Sequence, residues 1–140
     1  MSSHVTGLFI VGGDMWGYYI TRITRRSKIV KRAIVINSEA LGRGSDELGK
    51  QLMDSFLRKL LMLPNKPDAI IFYNSGVKLL ASGSPVMDAL DALFKIGIDI
   101  VACGSCVTYY ELNDKIAVGR VSNMQEIASI LLETESVITV

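Results

Sequence analysis

Between residues 33 and 140, short apolar runs alternate with stretches whose apolar residues recur at helical spacing. That alternation predicts strands and helices in βαβ order around a parallel sheet, because each amphipathic helix must bury its apolar stripe on a sheet face. Residues 33–37, 69–73 and 98–102 read as strands buried on both faces. Residues 116–118 and 137–140 read as weaker strands, so the expected architecture is a three-layer α/β/α domain whose mainly parallel sheet has about five strands.

The helices have their own punctuation. Residues 46–62 place Leu48, Leu52, Met53, Phe56, Leu57 and Leu60 on one face and Lys50, Asp54, Arg58 and Lys59 opposite. Pro64-Asn65-Lys66-Pro67 ends that helix, since proline lacks the amide hydrogen and disfavours helical geometry in the residue before it. Ser84-Pro85 reads as an N-cap with proline in the first helical position, followed by Val86, Leu90, Leu93 and Phe94 until Gly97. A short helix is expected through 107–111, and Ser122-Asn123-Met124-Gln125 reads as a capping box opening a last helix that ends near residue 132.

Composition sharpens this picture. The 140 residues are 49% hydrophobic and 21% charged, a balance that suits one compact domain with a real core. Two cysteines cannot staple a chain of this size, so a reducing, cytoplasmic setting is expected. The net charge of +1 leaves no electrostatic footprint for nucleic acid. The charge is nonetheless uneven: residues 1–32 set Arg22, Arg25, Arg26, Lys28, Lys31 and Arg32 against Asp14, while the rest of the chain is acidic. The chain is therefore divided into an N-terminal arm, 1–32, and a domain, 33–140. Leu8-Phe9-Ile10-Val11 and Met15-Trp16-Gly17-Tyr18-Tyr19-Ile20 are interrupted by Asp14 and fall short of the about 20 apolar residues of a transmembrane span. Their basic residues follow the apolar run rather than precede it, unlike a secretory signal. The arm reads as flexible or edge-packing, with an interfacial anchor or a partner-binding role as the alternative.

In an open parallel sheet, ligands bind beyond the carboxyl ends of the strands. The loops there are 37–44 with Gly42-Arg43-Gly44, then Asn74-Ser75-Gly76, Cys103-Gly104-Ser105-Cys106 and Val121-Ser122-Asn123. Cys-X-X-Cys spacing and a helix N-terminus both lower a thiol pKa, and the thiolate is the form that attacks sulfur or binds metal. The competing reading is a pair of small buried hydrophobes. A zinc site needs four ligands, and the chain offers two cysteines and the lone His4, so no metal is expected unless a site is shared between subunits.

The stretch from Gly42 to Gly49 is not a phosphate loop. Glu47 stands where a dinucleotide fingerprint has its third glycine, and no Gly-Lys-Ser/Thr follows. Asp46 and Glu47 suit a helix start and repel phosphate, with Ser45 as the cap. Arg43 is either solvated or reaches across the strand ends to an anionic sulfur species. No Ser/His/Asp set exists for hydrolysis, and no cofactor is expected. Tyr109 and Tyr110 follow the cysteines closely enough for one to reach the pocket mouth while the other packs as core.

Several segments resemble the DsrE-like domain of the YedF family, a branch of the DsrE/DsrF-like proteins linked to selenium metabolism. They are Val35-Ile36-Asn37-Ser38, Leu41-Gly42-Arg43-Gly44, Asp46-Glu47-Leu48-Gly49, Phe72-Tyr73-Asn74-Ser75-Gly76-Val77-Lys78-Leu79, Cys103-Gly104-Ser105-Cys106, Tyr109-Tyr110, Val118-Gly119 and Ser122-Asn123-Met124. The resemblance covers 33–140 and implies a DsrE-like fold, a homo-oligomer, and sulfur carried as a cysteine persulfide between donor and acceptor proteins. The family's usual N-terminal TusA-like domain is absent, so a separate TusA-like protein is the implied partner. By the same resemblance Cys103 is the acceptor and Cys106 a resolving or assisting thiol. Gly104, Ser105, Asn74 and Ser75 are implied to stabilise the persulfide, with Arg43, Gly76 and Asn123 as further substrate contacts.

Three functions remain open at this point. They are a sulfur or selenium carrier resembling a sulfurtransferase, a dithiol redox protein cycling through a Cys103–Cys106 disulfide, and a non-catalytic oligomeric binding domain. Gly-Ser between the cysteines departs from the Pro- or aromatic-rich loops of thioredoxin-like proteins, which favours the carrier.

Overall fold

The computed structural model describes residues 29–140. Five strands, β1 (Arg32–Ile36), β2 (Ala69–Phe72), β3 (Asp99–Cys103), β4 (Arg120–Ser122) and β5 (Ser136–Thr139), form one sheet in the order β4-β3-β2-β1-β5. Every neighbouring pair is parallel. Between them lie α1 (Asp46–Leu60), a 3₁₀ helix (Asn74–Leu80), α2 (Met87–Lys95), α3 (Gly104–Tyr109) and α4 (Met124–Glu133).

Beyond Arg32 and Asp99, which open β1 and β3, the three central strands are apolar because both their faces are covered. On one face Ile34, Ile36, Ile70, Phe72, Ile100 and Ala102 meet Met53, Leu57 and Leu60 of α1 and Ala89, Leu90 and Leu93 of α2. On the other, Ala33, Ala69, Ile71, Val101 and Cys103 meet Ile127 and Ile130 of α4. Alternate residues of each strand thus serve opposite cores. Because β5 pairs with β1 at the edge opposite β4, α4 carries the chain back across the sheet.

Strand starts are aligned by Asp68, whose carboxylate accepts from the Lys31 and Arg32 N–H groups at 2.8 and 3.1 Å. Val30 is already buried against the α4-side core, so packing begins slightly before residue 33. The readings made on His4, the apolar runs and the basic cluster up to Lys28 lie outside the described residues. No described helix is long and apolar enough to cross a membrane.

α1 starts where expected: Ser45 Oγ accepts from the Leu48 N–H at 3.1 Å, and Asp46 and Glu47 occupy the first turn. Its buried stripe is Gly49, Met53, Leu57 and Leu60, whereas Leu48 and Leu52 are exposed. Three other expectations are corrected. α2 begins at Met87 rather than at Pro85, because the Ser84 hydroxyl accepts from the Val86 N–H in a turn instead of capping a helix. The apolar run 116–118 is not the fourth strand. Ile116 bridges Ala81 in antiparallel fashion, the Ala117 N–H donates to Leu80 O at 2.8 Å, and Val118 is buried, leaving Arg120–Ser122 to pair with β3. Finally, α4 is capped by Asn123 and not Ser122: Asn123 Oδ1 accepts from the Glu126 N–H at 2.9 Å, while the Ser122 hydroxyl bonds the Glu126 carboxylate.

Candidate functional site

The carboxyl ends of β1, β2 and β3 bring three sequence-distant loops together. β2 ends at Phe72, and the chain turns through Tyr73 into the 3₁₀ helix, whose first residue, Asn74, has φ 51°. Asparagine tolerates this left-handed geometry better than most residues. The turn is held close to β1, where a Cβ at Gly76 would lie 2.4 Å from the Ile36 carbonyl oxygen. A backbone atom cannot yield that space, so glycine is required.

β3 ends at Cys103, which is buried among Val101, Ile71 and Ile127 on the α4 side. The chain enters α3 at Gly104, where a Cβ would meet the Ser122 carbonyl oxygen at 2.9 Å. The glycine between the cysteines thus lets α3 start hard against β4. Both thiols are free, and the two differ in surroundings: Cys103 is buried, whereas Cys106 is half-buried and borders both cores.

Cys106 has a specific donor. The Asn74 backbone N–H points at Cys106 Sγ, with N and S 3.0 Å apart. Asn74 is itself held from the far side, as Tyr110 Oη donates to Asn74 Oδ1 at 3.1 Å. Lys78 Nζ sits 4.5 Å from the Tyr110 ring centroid and pairs with Glu39 at 3.6 Å. Tyr110 thereby joins the site while packing on the α1-side core, and Tyr109, edge-on to it, is exposed.

The charge state of Cys106 is set by opposing effects. Burial pushes its pKa up, the Asn74 N–H pulls it down, and the neighbouring Cys103 thiol pushes it up again through a hydrogen bond and charge repulsion. The upward influences prevail, so at neutral pH Cys106 holds its proton. The thiolate stabilisation expected from Cys-X-X-Cys spacing is thus outweighed at this cysteine.

Beside Asn74 opens a cleft of about 510 Å³ above the ends of β1, β2 and β5. Arg43 and Asn74 line it, together with Asn37, Ser38, Tyr73 and Thr139. Ser75 and Gly76 lie within the 3₁₀ helix, Ser75 half-buried, and Ser105 is exposed on α3. Asn123 stands at the start of α4 with its side chain engaged in the cap. Among the described residues no group of three or more His, Cys, Asp or Glu is arranged to hold a metal ion.

Sequence reasoning missed Lys78 and Glu39 as supports of the site, and Thr139 as part of the cleft. Lys78 and Glu39 carry no spacing signal of their own, and Thr139 arrives only because β5 joins β1.

The fold recurs in solved structures. The ychN protein of E. coli superposes with a TM-score of 0.62 at 17% identity, covering 79% of this chain and 98% of its own. The fold is DsrE-like. Protein MTH1491 of Methanobacterium thermoautotrophicum, described as of unknown function, gives a TM-score of 0.58 at 20% identity over 79% of this chain and 99% of its own. BT1422 of Bacteroides thetaiotaomicron, described in the same way, gives 0.55 at 16% identity over 79% and 95%. At these identities the likeness establishes the DsrE-like fold alone. No protein-family model and no curated protein matches the chain.

Proposed function

We propose that this DsrE-like protein is a sulfur carrier of the YedF-like kind, holding a sulfane sulfur as a persulfide on Cys106. The observation that carries the reading is the Asn74 N–H aimed at Cys106 Sγ, at the convergence of the strand ends. A backbone donor fixed there stabilises an anionic sulfur without a metal. The roles inferred from resemblance are exchanged in this proposal: Cys106 borders solvent and is the acceptor, while buried Cys103 stands behind it as the assisting thiol. Asn74 supplies the donor, and Tyr110 positions Asn74.

The neutral state of Cys106 suits a carrier. A thiol that keeps its proton resists adventitious oxidation, and it reacts when deprotonated by solvent in the encounter. Sulfur or selenium arrives from a donor and leaves to an acceptor, a separate TusA-like protein among them, in the cytoplasm. Exposed Leu132, Val137 and Ile138, at the α4–β5 edge, support a homo-oligomeric assembly.

Dithiol redox chemistry is the second reading, favoured by two free thiols, Cys103 at the end of β3 and Cys106 in the first turn of α3. One experiment separates the two. The protein is loaded with a sulfane donor, desalted and treated with cyanide, which takes a persulfide sulfur as thiocyanate. Stoichiometric thiocyanate supports the carrier. A loss of titratable thiols without thiocyanate replaces it with the redox protein.

A further inference from the structure

A persulfide by itself leaves the strand-end cleft without a purpose, since one sulfur atom needs almost none of its volume. At about 510 Å³ the cleft lies within the size range of small-molecule sites, about 300–1,000 Å³. Such sites are commonly apolar, and this one is not: Asn37, Ser38, Tyr73, Asn74 and Thr139 all bring polar groups to its wall. Among the described residues, Arg43 is the one cationic side chain there, and it makes no ion pair with any of them. A guanidinium in a neutral polar wall selects one planar anion, which it grips with two parallel hydrogen bonds. The cleft and the thiol meet at Asn74, whose residue lines the first and whose N–H donates to the second.

We propose that the cleft seats a small, polar, carboxylate-bearing thiol compound and that its hydropersulfide is the sulfur donor to Cys106. The donor role rests on the carrier reading above; the ligand class rests on the cleft. In the transfer, Cys106 gives its proton to solvent and the thiolate attacks the outer sulfur of R–S–SH. The new bond joins Cys106 Sγ to that sulfur, the donor's S–S bond breaks, and RS⁻ leaves and takes up a proton. Cys–SH and R–SSH become Cys–SSH and R–SH, with no external oxidant or reductant.

The test uses the whole chain and two probes. S-methylglutathione, which carries carboxylates but cannot transfer sulfur, is titrated while the amide resonances are followed. It is expected to shift Asn37, Ser38 and Asn74, and to bind about tenfold more weakly to Arg43→Gln, the loss expected for a charge-assisted pair. Absence of those shifts, or equal affinity in the variant, overturns the ligand class. Sulfur uptake is then compared between glutathione hydropersulfide and uncharged 2-hydroxyethyl hydropersulfide. The rate ratio is expected to fall about tenfold in Arg43→Gln, and an unchanged ratio overturns the donor role. Binding of S-methylglutathione with no uptake from either donor would sink the carrier reading while the ligand class stands.

Discussion

The backbone N–H of Asn74 donates to Sγ of Cys106 across the ends of β2 and β3, at 3.0 Å. Two loops 32 residues apart in sequence are thereby joined at the most accessible sulfur of the site. The contact depends on Asn74 keeping a left-handed backbone, and on Tyr110 holding its side-chain oxygen. Asn74→Ala is expected to lose about 1–2 kcal/mol from the left-handed conformation, and Asn74→Gly less. Urea midpoints of the two variants check the order.

Tyr110→Phe removes one hydrogen bond from Asn74, a loss of about 1 kcal/mol. A merely structural role would end there. A positioning role also weakens the Asn74 contact that lowers the Cys106 pKa, so the alkylation profile of Cys106 moves to higher pH. Alkylation rates resolved by peptide mass spectrometry across pH 7–11 separate the two.

In the wild type the same profile is expected to rise with its midpoint above the ordinary thiol value of about 8.5. The sign for stability follows. The folded thiol keeps its proton to higher pH than the unfolded one, so its contribution is fully present below the unfolded pKa and is lost as pH rises through the folded value. Cys106→Ala should therefore show a shallower alkaline loss in urea melts than the wild type. An equal slope would mean that Cys106 is not shifted upward.

Gly76→Ala forces a Cβ against the Ile36 carbonyl and is expected to cost about 3 kcal/mol. The strand-end turn carrying Asn74 is what that variant displaces. Thermal melts and the Asn74 amide shift report both effects.

Asn123→Ala removes the N-cap of α4, about 1 kcal/mol, while Asn123→Asp retains it. Equal denaturation midpoints for the two variants would contradict the capping role.

The sequence made the central strands legible because each is buried on both faces and reads as an apolar run, broken only by Asp99 at the start of β3. Ser45 was equally plain, being followed by two acids and an apolar stripe. Residues 116–118 misled because half-buried Ile116 and buried Val118, packed on the core beside Leu80 and Ala81, leave the same apolar signature as a strand. The short edge strand Arg120–Ser122 has almost no apolar signature; its hold on β3 includes Arg120 donating to Asp99, and the same guanidinium donates to Glu126 of α4. At the site, the Cys-Gly-Ser-Cys spacing was visible, but which thiol borders solvent depends on the face that the last residue of β3 presents. The Glu39, Lys78, Tyr110 and Asn74 array joins residues up to 71 apart, and no local pattern announces it.

If Cys106 holds the transferable sulfur, as proposed, intact mass of the wild type, Cys103→Ala and Cys106→Ala after incubation with a sulfane donor will show it. A gain of one sulfur is expected in the wild type and in Cys103→Ala and none in Cys106→Ala. Sulfur gained by Cys106→Ala but not by Cys103→Ala would contradict the assignment, and no gain in any of the three would contradict the carrier itself.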